Sequence, residues 1–350
     1  MGGSCMLRRW FRKTEAWPLW VGLFTGNVYF WLMFDFASQE LLVLYSTPVY
    51  IVIILVEIAT GHLLHRQWYT VRDTVQNIYL MLVNSCFDIM LRTGYVLVLA
   101  FLGTFSLLEM EGGWVYWVSI VLAVDFLFYW MHRLEHSVRL FWAVHVTHHS
   151  SEKFNLTVGF RSSVFQPLYR FVFFIPLVLL GFHPVDIVFV YSALQIWGIL
   201  VHTEIVDRLG WFEYFLVTPS HHRVHHASNP LYLDKNMGMF LIIWDKMFHT
   251  FQAELPASQY QPIRYGLTTP RQLTLPFSVA LHEWKDLLLD LKKDINLGQK
   301  LQYVFGPPGW SHDGSRLTSA ELRERENLQR PVLEQPKPQS TAYPESPAFK

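Results

Sequence analysis

Ten histidines lie in three clusters and one single position between residues 132 and 226, whereas the remaining histidines of the chain are scattered. They are His132 and His136 in WMHRLEHS, His145, His148 and His149 in AVHVTHHSS, His202 in LVHTE, and His221, His222, His225 and His226 in PSHHRVHH. Imidazole binds zinc, copper, iron and nickel. The clusters therefore predict a metal centre, and the ligand type alone leaves the metal open.

The spacing of these histidines bears on how many ions they can hold. His132 and His136 are four residues apart, so on a helix they share one face and can bind one ion. In the H-x-x-H-H run, His145 and His148 also share a face, and the adjacent His149 points elsewhere, toward a second ion. A structural zinc site is filled by four ligands, usually with thiolates among them. About twice that number of histidines favours two ions close together.

We expect nine of the ten to be metal ligands. They are His132, His136, His145, His148, His149, His202, His222, His225 and His226. His221 is a candidate for a substitute ligand or for a neighbour that hydrogen-bonds a ligand.

Several other polar residues are candidates for supporting roles. Asp125 lies two helical turns before His132 on the same face, and we expect it to orient a ligand imidazole, although a helix-packing carboxylate is the alternative. Glu135 and Glu204 lie near the clusters and could bind a metal or a ligand imidazole; a surface carboxylate is the alternative for Glu204. Three weaker candidates for contacts with a lipid head group or a reductant, for which a structural role is favoured, are Asn155, Arg161 and Asn236.

The composition is that of a membrane protein. Half of the 350 residues are hydrophobic and only 16% are charged, whereas a soluble domain carries about 25% charged residues. The formal net charge is zero, so no nucleic-acid-binding surface is indicated. The two cysteines, Cys5 and Cys86, are too few for a disulfide framework or an iron–sulfur cluster.

Apolar runs predict six membrane spans, several near the length of about 20 residues that a spanning helix needs. The runs cover residues 17–36, 43–63, 83–107, 114–131, 164–182 and 184–201. Asp88 and Arg92 interrupt the third run, but they are four residues apart and can pair on one helix face.

Loop charges assign the two sides of the membrane. Residues 1–16 and 64–76 are basic, whereas residues 35–42 and 106–113 carry acidic residues and no lysine or arginine. Basic loops stay in the cytosol, in agreement with six spans. A hairpin over 164–201 returns the chain to its starting face, so we expect all ten clustered histidines on the cytosolic side, at the endoplasmic reticulum in a eukaryote or the inner or plasma membrane in a bacterium.

The predicted fold is all-α: a polytopic membrane helix bundle with a cytosolic, histidine-rich cap that holds a two-metal site. Residues 277–294 predict an amphipathic helix that lies either on the membrane surface or on the cap. Its apolar face contains Phe277, Leu281, Trp284, Leu288 and Leu291. The expected segments are the N-terminus with a first span (1–42), transmembrane helices (43–131), a histidine domain with the hairpin (132–270), the amphipathic helix and cap end (271–312), and a disordered tail (313–350).

The histidine clusters resemble those of the fatty acid hydroxylase and sterol desaturase superfamily, whose members carry H-x(3)-H, H-x(2)-H-H and a final H-x(2)-H-H. The matching histidines here are His132–His136, His145–His148–His149 and His222–His225–His226. Within the superfamily, YWMHRLEH, HVTHHSSEKFNL, VHTE, TPSHHRVHH and LDKNMGMFLIIWDKMFHTF are similar to the alkylglycerol monooxygenase branch. The resemblance covers residues 40–310.

This resemblance implies a non-haem di-iron enzyme of the membrane that uses O2 to oxidise a lipid. For the alkylglycerol branch it implies an ether-lipid substrate, hydroxylated beside the ether oxygen to give an aldehyde and a glycerol, and tetrahydrobiopterin as electron donor. The residues themselves leave the donor open. The alternatives are a sterol or fatty-acyl hydroxylase or desaturase of the same superfamily and, more remotely, a non-catalytic membrane protein stabilised by zinc.

Overall fold

The structure is a computed structural model, and it describes residues 42, 44–110, 112–271, 273 and 275–329. Within these residues the regular structure is helical, and β pairing is limited to two isolated bridges. The helices are α1 (Leu44–Leu63), α2 (Val71–Gly103), α3 (Trp114–Ser137), α4 (Arg139–His149), α5 (Ile175–Leu180), α6 (Pro184–Leu200), α7 (Pro219–His226), α8 (Ile243–Met247), α9 (Pro276–Leu291), α10 (Leu297–Phe305) and α11 (Ser319–Gln329). By packing, the chain divides into residues 1–48 and 49–350, and every contact described below lies within the second unit.

Among the described residues, three helices are long and apolar enough to cross a membrane. They are α1 with 20 residues, α2 with 33 and α3 with 24, each with a mean hydropathy of 1.6 in its most apolar stretch. This confirms the prediction of an all-α membrane bundle. The predicted span at 17–36 and the basic segment 1–16 lie outside the described residues.

Helix α2 begins at Val71, twelve residues before the predicted run at 83–107. The Thr70 side chain caps it by accepting a hydrogen bond from the Asp73 backbone N–H at 3.3 Å. Asp88 and Arg92 form the predicted pair, at 2.6 Å. The Arg170 guanidinium also contacts Asp88. The negative charge of that carboxylate is therefore balanced by two arginines inside the apolar bundle.

The hairpin predicted over 164–201 differs from the expectation in its first arm. Residues 164–182 are broken into short 3-10 turns at Gln166–Leu168 and Arg170–Phe174, followed by α5, whereas the second arm is the 17-residue helix α6. Proline has no N–H and disrupts a continuous helix, and Pro167 and Pro176 fall at the breaks. The chain still reverses at Gly181, whose φ of 105° suits glycine.

Helix α9 packs on the histidine-bearing helix α4. The buried Arg139 guanidinium at the start of α4 binds Glu283 at 2.8 Å and Asp290 at 2.7 Å, both on α9. The buried face of α9 includes Val279 and Leu287. Of the apolar face predicted from the sequence, Phe277, Leu281 and Leu288 are exposed, whereas the Trp284 ring packs against Phe165 with centroids 5.9 Å apart.

Residues 313–329 are ordered, in contrast to the predicted disordered tail. Thr318 caps α11, because its backbone N–H donates to Glu321 at 2.7 Å while its hydroxyl faces the Glu321 N–H at 3.4 Å. Arg323 then donates to the Leu233 carbonyl at 2.7 Å, and Tyr260 donates to Glu326 at 2.8 Å. These contacts tie a polar sequence to the cap. Residues 330–350 lie outside the described part of the chain.

The fold predicts which loops share a side of the membrane. In a variant lacking Cys5 and Cys86, cysteines at positions 67 and 324 should react with a membrane-impermeant thiol reagent from one side, and a cysteine at position 107 from the other. The reason is that the membrane-spanning helix α2 separates residue 67 from residue 107. On the side of residue 67, Lys153, four residues after α4, binds the Gln67 carbonyl at 2.8 Å. Helix α11, which carries residue 324, is tied to the residues after the last histidines by the contact of Arg323 with the Leu233 carbonyl. Labelling of positions 67 and 107 from the same side would contradict the bundle.

Candidate metal centre

Nine buried or half-buried histidines form two compact groups. The first group, called here the five-histidine group, contains His132, His136, His145, His149 and His225; the second, the four-histidine group, contains His148, His202, His222 and His226. Within each group, one nitrogen from each imidazole lies within 4.8 Å of the corresponding nitrogens of the others. These are the nine histidines predicted as ligands, brought together from α3, α4, α7 and the segment after α6.

The converging atoms are Nε2 nitrogens. In the five-histidine group, the His145 Nε2 lies 3.0 Å from that of His132 and 3.1 Å from that of His149. In the four-histidine group, the His202 Nε2 lies 2.9 Å from that of His222 and 3.1 Å from that of His226. Two nitrogens bound to one ion at about 2.1 Å and at right angles would be about 3.0 Å apart. The spacing therefore fits ligands around a common ion.

Fixed acceptors orient three imidazoles of the five-histidine group from a single loop, residues 234–237. The Met237 carbonyl lies 2.8 Å from the Nδ1 of His132, and the Lys235 carbonyl lies 2.9 Å from that of His225. The Asp234 carboxylate lies 3.5 Å from the Nδ1 of His136. Because a carbonyl can only accept, Nδ1 carries the proton in the first two rings and Nε2 presents its lone pair to the centre.

Three further imidazoles are held in the same way. The Nδ1 of His145 lies 3.1 Å from the Glu135 carboxylate. The Nδ1 of His148 lies 3.2 Å from the Arg161 carbonyl, and that of His202 lies 2.7 Å from the Gly198 carbonyl. Six of the nine rings thus have an acceptor at Nδ1, which is the arrangement that orients metal-bound histidines in proteins.

The buried nitrogens also indicate a bound ion. The Nε2 atoms of His136 and His225 are shielded from solvent and have no hydrogen-bond partner among the described residues. A buried polar atom without a partner is costly, and a metal ion at the centre of the five-histidine group would satisfy both. The donor set of neutral imidazoles suits a first-row transition metal, so the residues present fit such an ion.

Burial keeps the clustered imidazoles in the neutral form that binds a metal ion. It lowers the pKa of His145, His148 and His149 well below the ordinary value, and repulsion between neighbouring imidazoles adds to the effect. The pKa values of His222, His225 and His226 are lowered in the same way. Burial lowers the pKa of His202 to about 4. These imidazoles are therefore neutral at pH 7, the form that coordinates a metal.

The local sequence explains how short helices deliver so many ligands. Val138 is extended, which ends α3 and starts α4 at an angle, so the rings of His136 and His149 meet at 4.7 Å. Thr218 and Pro219 begin α7. His221 occupies the third position of that helix and takes part in its cap, since the Thr218 N–H donates to its Nδ1 at 3.3 Å. His221 belongs to neither group.

Asp125 does not orient an imidazole, in contrast to the prediction. Its carboxylate accepts hydrogen bonds from the backbone N–H groups of Phe240 and Leu241 and from the Trp244 indole at 2.9–3.1 Å. These three donors sit in the cap segment that continues from loop 234–237, so Asp125 acts on the site through that segment. The position of Asp125 two turns before His132 correctly indicated that it lies near the site. The hydrogen-bond partner predicted for it, a ligand imidazole, was wrong.

The other polar candidates are engaged with protein groups. Asn155 donates to the Trp68 carbonyl at 2.8 Å, and Arg161 binds the Thr147 carbonyl at 2.9 Å and Asn77 at 2.7 Å. Asn236 donates to the His221 and Gln252 carbonyls at 3.0 and 2.8 Å. Glu204 interacts with the Tyr265 phenol and is not part of either histidine group. These contacts support the structural roles that were favoured for Asn155, Arg161 and Asn236.

Sequence reasoning missed two carboxylates that support the site. The Asp234 carboxylate faces His136. The sequence indication for it was its position at the start of the run 234–251, which follows the last histidines. Glu57 is buried on α1, where it accepts hydrogen bonds from the Thr203 hydroxyl at 2.5 Å and the Leu156 N–H at 2.9 Å. An ionisable residue inside an apolar run marks a functional or structural tie, and Glu57 holds the residue next to His202.

A cavity of about 460 Å³ lies two aromatic rings away from the four-histidine group. Its lining includes Arg264, Tyr265 and Arg271. The Tyr265 ring stacks on Phe154 with centroids 5.0 Å apart, and Phe154 in turn stacks on His202 at 5.5 Å. Two aromatic rings thus connect the cavity to the histidines.

Comparison with known proteins places both histidine groups in one recognised segment. Residues 117–250 match the fatty acid hydroxylase family model. The chain is 39% identical over 206 residues to alkylglycerol monooxygenase of Homo sapiens, covering 59% of this chain and 45% of the relative. It is 34% identical over 278 residues to alkylglycerol monooxygenase of Danio rerio, covering 78% and 60%.

Sterol desaturases are more distant relatives. The chain is 29% identical over 155 residues to a Delta(7)-sterol 5(6)-desaturase of Gibberella zeae, which covers 42% of this chain and 46% of the relative. The chain spans about half the length of the alkylglycerol monooxygenases of Homo sapiens, Xenopus tropicalis and Caenorhabditis elegans that it matches. No solved structure matches it.

Replacing Glu135 with Gln should weaken metal binding by the five-histidine group about 10- to 100-fold, because His145 loses the carboxylate that faces its Nδ1. Metal content after dialysis against a graded chelator measures the effect. Asp186→Asn is the matched control: the Asp186 carboxylate also accepts a tyrosine hydroxyl, from Tyr116 at 2.6 Å, but no imidazole. Equal retention of metal by both variants would show that Glu135 does not support the site.

Metal-free protein should lose stability as the pH falls below about 6.5, the ordinary pKa of histidine. The pKa of His202 is about 4 in the folded chain, so between these pH values the unfolded chain binds more protons than the folded chain. The free energy of unfolding therefore decreases with falling pH in this window and is flat above pH 7 with respect to these groups. Thermal unfolding of chelator-treated protein at pH 7.5, 6 and 5 measures this; an unchanged midpoint would contradict the burial argument.

Proposed function

We propose that this chain is a membrane-bound, metal-dependent oxygenase that oxidises a lipid, because residues 117–250 match the fatty acid hydroxylase family model. The observation that carries the proposal is the convergence of nine imidazoles from this domain into two adjacent groups. A structural metal site is filled by four ligands, so a second group has no use in simply holding the cap together. Two adjacent metal ions have a use in redox chemistry.

We propose iron as the metal in both groups, the five-histidine group holding one ion and the four-histidine group the other. Iron would supply the capacity to activate O2 for insertion into a C–H bond. The protein's own residues keep the groups buried from bulk water and fix the imidazoles through Glu135, Asp234 and the carbonyls of loop 234–237. Neutral imidazole also binds zinc, so the donor set supports a transition metal and the choice of iron rests on the proposed chemistry.

An ether lipid of the alkylglycerol class is the substrate we favour. One atom of O2 would be inserted into the C–H bond beside the ether oxygen, and the other would leave as water with two electrons and two protons from a donor. The resulting hemiacetal breaks its C–O bond to give a fatty aldehyde and a free glycerol. Support comes from the alkylglycerol monooxygenase alignments, which cover 59–78% of this chain in the vertebrate relatives and so extend beyond the ligand-bearing domain.

Sterol or fatty-acyl oxidation is the second candidate. It is favoured by the more distant similarity to sterol desaturases, at 28–29% identity over 153–156 residues. Metal ligands are shared by enzymes of different substrate class and do not discriminate between them, so the choice depends on the assay.

A donor of two electrons is required by this chemistry, and we propose tetrahydrobiopterin. The cavity lined by Arg264, Tyr265 and Arg271 is the candidate docking place, because it is polar, large enough for a small molecule and separated from His202 by two stacked rings. We propose that the histidine side of the membrane is the cytosolic side, at the endoplasmic reticulum of a eukaryote or the inner or plasma membrane of a bacterium, because the loop at 64–76 on that side is basic.

The function is tested with membranes containing the protein, supplied with an alkylglycerol, a sterol or an acyl-linked fatty chain, each with and without tetrahydrobiopterin. We expect fatty aldehyde from the alkylglycerol only, and only with the pterin. His148→Ala should lower the activity to background, because it removes a member of the four-histidine group. Asp186→Asn should leave the activity unchanged, because Asp186 lies in the first turn of α6, at the opposite end of that helix from His202.

Two other outcomes would contradict the proposal in different ways. Oxidation of the sterol or acyl chain, with no aldehyde from the ether, would favour the second candidate. No oxidation of any lipid by protein that holds redox-silent zinc and unfolds without it would favour a non-catalytic membrane protein.

A further inference from the structure

Two consecutive helices outside the metal centre, α9 and α10, carry an exposed apolar surface. Its residues, called here the α9–α10 stripe, are Phe277, Leu281 and Leu288 on α9 and Leu297, Leu301 and Phe305 on α10. Their exposed fractions range from 41% for Leu281 to 72% for Leu297. The spacing within each helix is four or seven residues, so each set lies along one face. Contiguous apolar surface of this kind marks an interaction site.

The opposite faces of both helices pack against the rest of the protein. On α9, Val279 and Leu287 are buried, and Asp290 binds Arg139 at the start of α4. On α10, Tyr303 is fully buried, and the Gly306 carbonyl that follows accepts the Arg139 backbone N–H at 2.9 Å. Both helices therefore pack on the α4 region and turn the stripe away from it.

The flanking charges match a membrane surface. Lys285 and Lys292 are exposed on α9 at one edge of the stripe. A helix with a broad apolar face bordered by lysines is the form that lies in the interface of a bilayer, with the lysine stems along the apolar region and the ammonium groups at the lipid head groups.

The stripe is continuous with a membrane-spanning helix. The Phe277 ring packs against Tyr79 of α2 with centroids 6.3 Å apart. Just before α9, the Leu273 carbonyl accepts hydrogen bonds from Arg72 at 3.1 Å and Gln76 at 3.3 Å. Helix α2 has 33 residues and is therefore about 50 Å long, whereas the apolar core of a bilayer is about 30 Å thick. Its polar first turns therefore extend beyond the core, and α9 begins where α2 enters the lipid.

We propose that α9 and α10 lie in the plane of the membrane, with the α9–α10 stripe inserted into the leaflet on the histidine side. The occupant of this surface is the lipid bilayer itself. Helix α4, which bears His145, His148 and His149, packs directly on α9, so the metal centre rests about one helix spacing, 8–10 Å, above the inserted face. The inference does not depend on which lipid is oxidised or on the identity of the metal.

Quenching of a fluorophore on single cysteines tests this inference. In the full-length protein lacking Cys5 and Cys86, cysteines replace Leu281, Leu288 or Leu301, and each is labelled with a small environment-sensitive dye. Glu324, exposed on the polar helix α11, gives the matched control. The protein is reconstituted into vesicles of phosphatidylcholine and phosphatidylserine that contain lipids with a nitroxide at a shallow acyl carbon; aqueous iodide is the second quencher.

We expect nitroxide lipid to quench the three stripe positions at least about twofold more than position 324, and iodide to show the reverse order, because inserted side chains lie at the head-group and acyl boundary. Quenching of the stripe by iodide as strong as at position 324 would overturn the proposal. Protection of the stripe from both quenchers would also overturn it, because the face would then be covered by protein, as in a second copy of the chain.

Discussion

The metal centre depends on one constraint, the fixing of six of its nine imidazoles by an acceptor at Nδ1. A ring that donates from Nδ1 to a rigid acceptor must present the lone pair of Nε2 on its far side. The acceptors here are mostly backbone carbonyls, at Met237, Lys235, Arg161 and Gly198. Because those carbonyls are set by the course of the chain, the fold itself aims the Nε2 atoms at two centres.

Loop 234–237 is where this constraint is concentrated. The loop orients three rings of the five-histidine group and is itself held by buried carboxylates: Asp245 accepts the N–H groups of Met237 and Gly238 at 2.7 and 2.8 Å, and Asp125 of α3 accepts those of Phe240 and Leu241. A side chain at Gly238 would place its Cβ 2.7 Å from the Leu241 carbonyl oxygen, so glycine is needed for the loop to close. Asp245 and the α3 residue Asp125 thus both fix the backbone around the loop that orients the imidazoles.

The sequence predicted the parts of the site that follow from local spacing. Histidines four residues apart stay in one group, as His132 and His136 do, and the hairpin before His202 returns the chain to the other clusters, so the convergence could be foreseen. The predicted pairing of His145 with His148 was wrong, because His145 lies with His149 in the five-histidine group and His148 lies in the four-histidine group. The partition into five and four ligands could not, because it depends on the angle between α3 and α4 at Val138. Most of the groups that accept from the Nδ1 atoms could not be predicted from the sequence, because they are backbone carbonyls and every residue type has one. The Glu135 carboxylate was the exception.

The fold was predictable where apolar runs are long and undivided, as in α1 and α3. It was not predictable over 164–182, where Gln166, Tyr169 and Arg170 turn inward to bind carboxylates of neighbouring helices and prolines divide the run. Composition also failed at α11, a polar segment that is ordered by single contacts such as that of Arg323 with the Leu233 carbonyl. In both cases tertiary hydrogen bonds outweigh the local pattern.

The most direct measurement of the central idea is the metal content of the purified protein, with each histidine group disabled in turn. The protein is loaded anaerobically with ferrous iron, freed of excess metal and analysed by mass spectrometry. We expect two ions per chain, and one ion in each of the variants His132→Ala/His145→Ala and His222→Ala, which alter different groups. A single ion per chain, lost equally in both variants, would contradict this expectation.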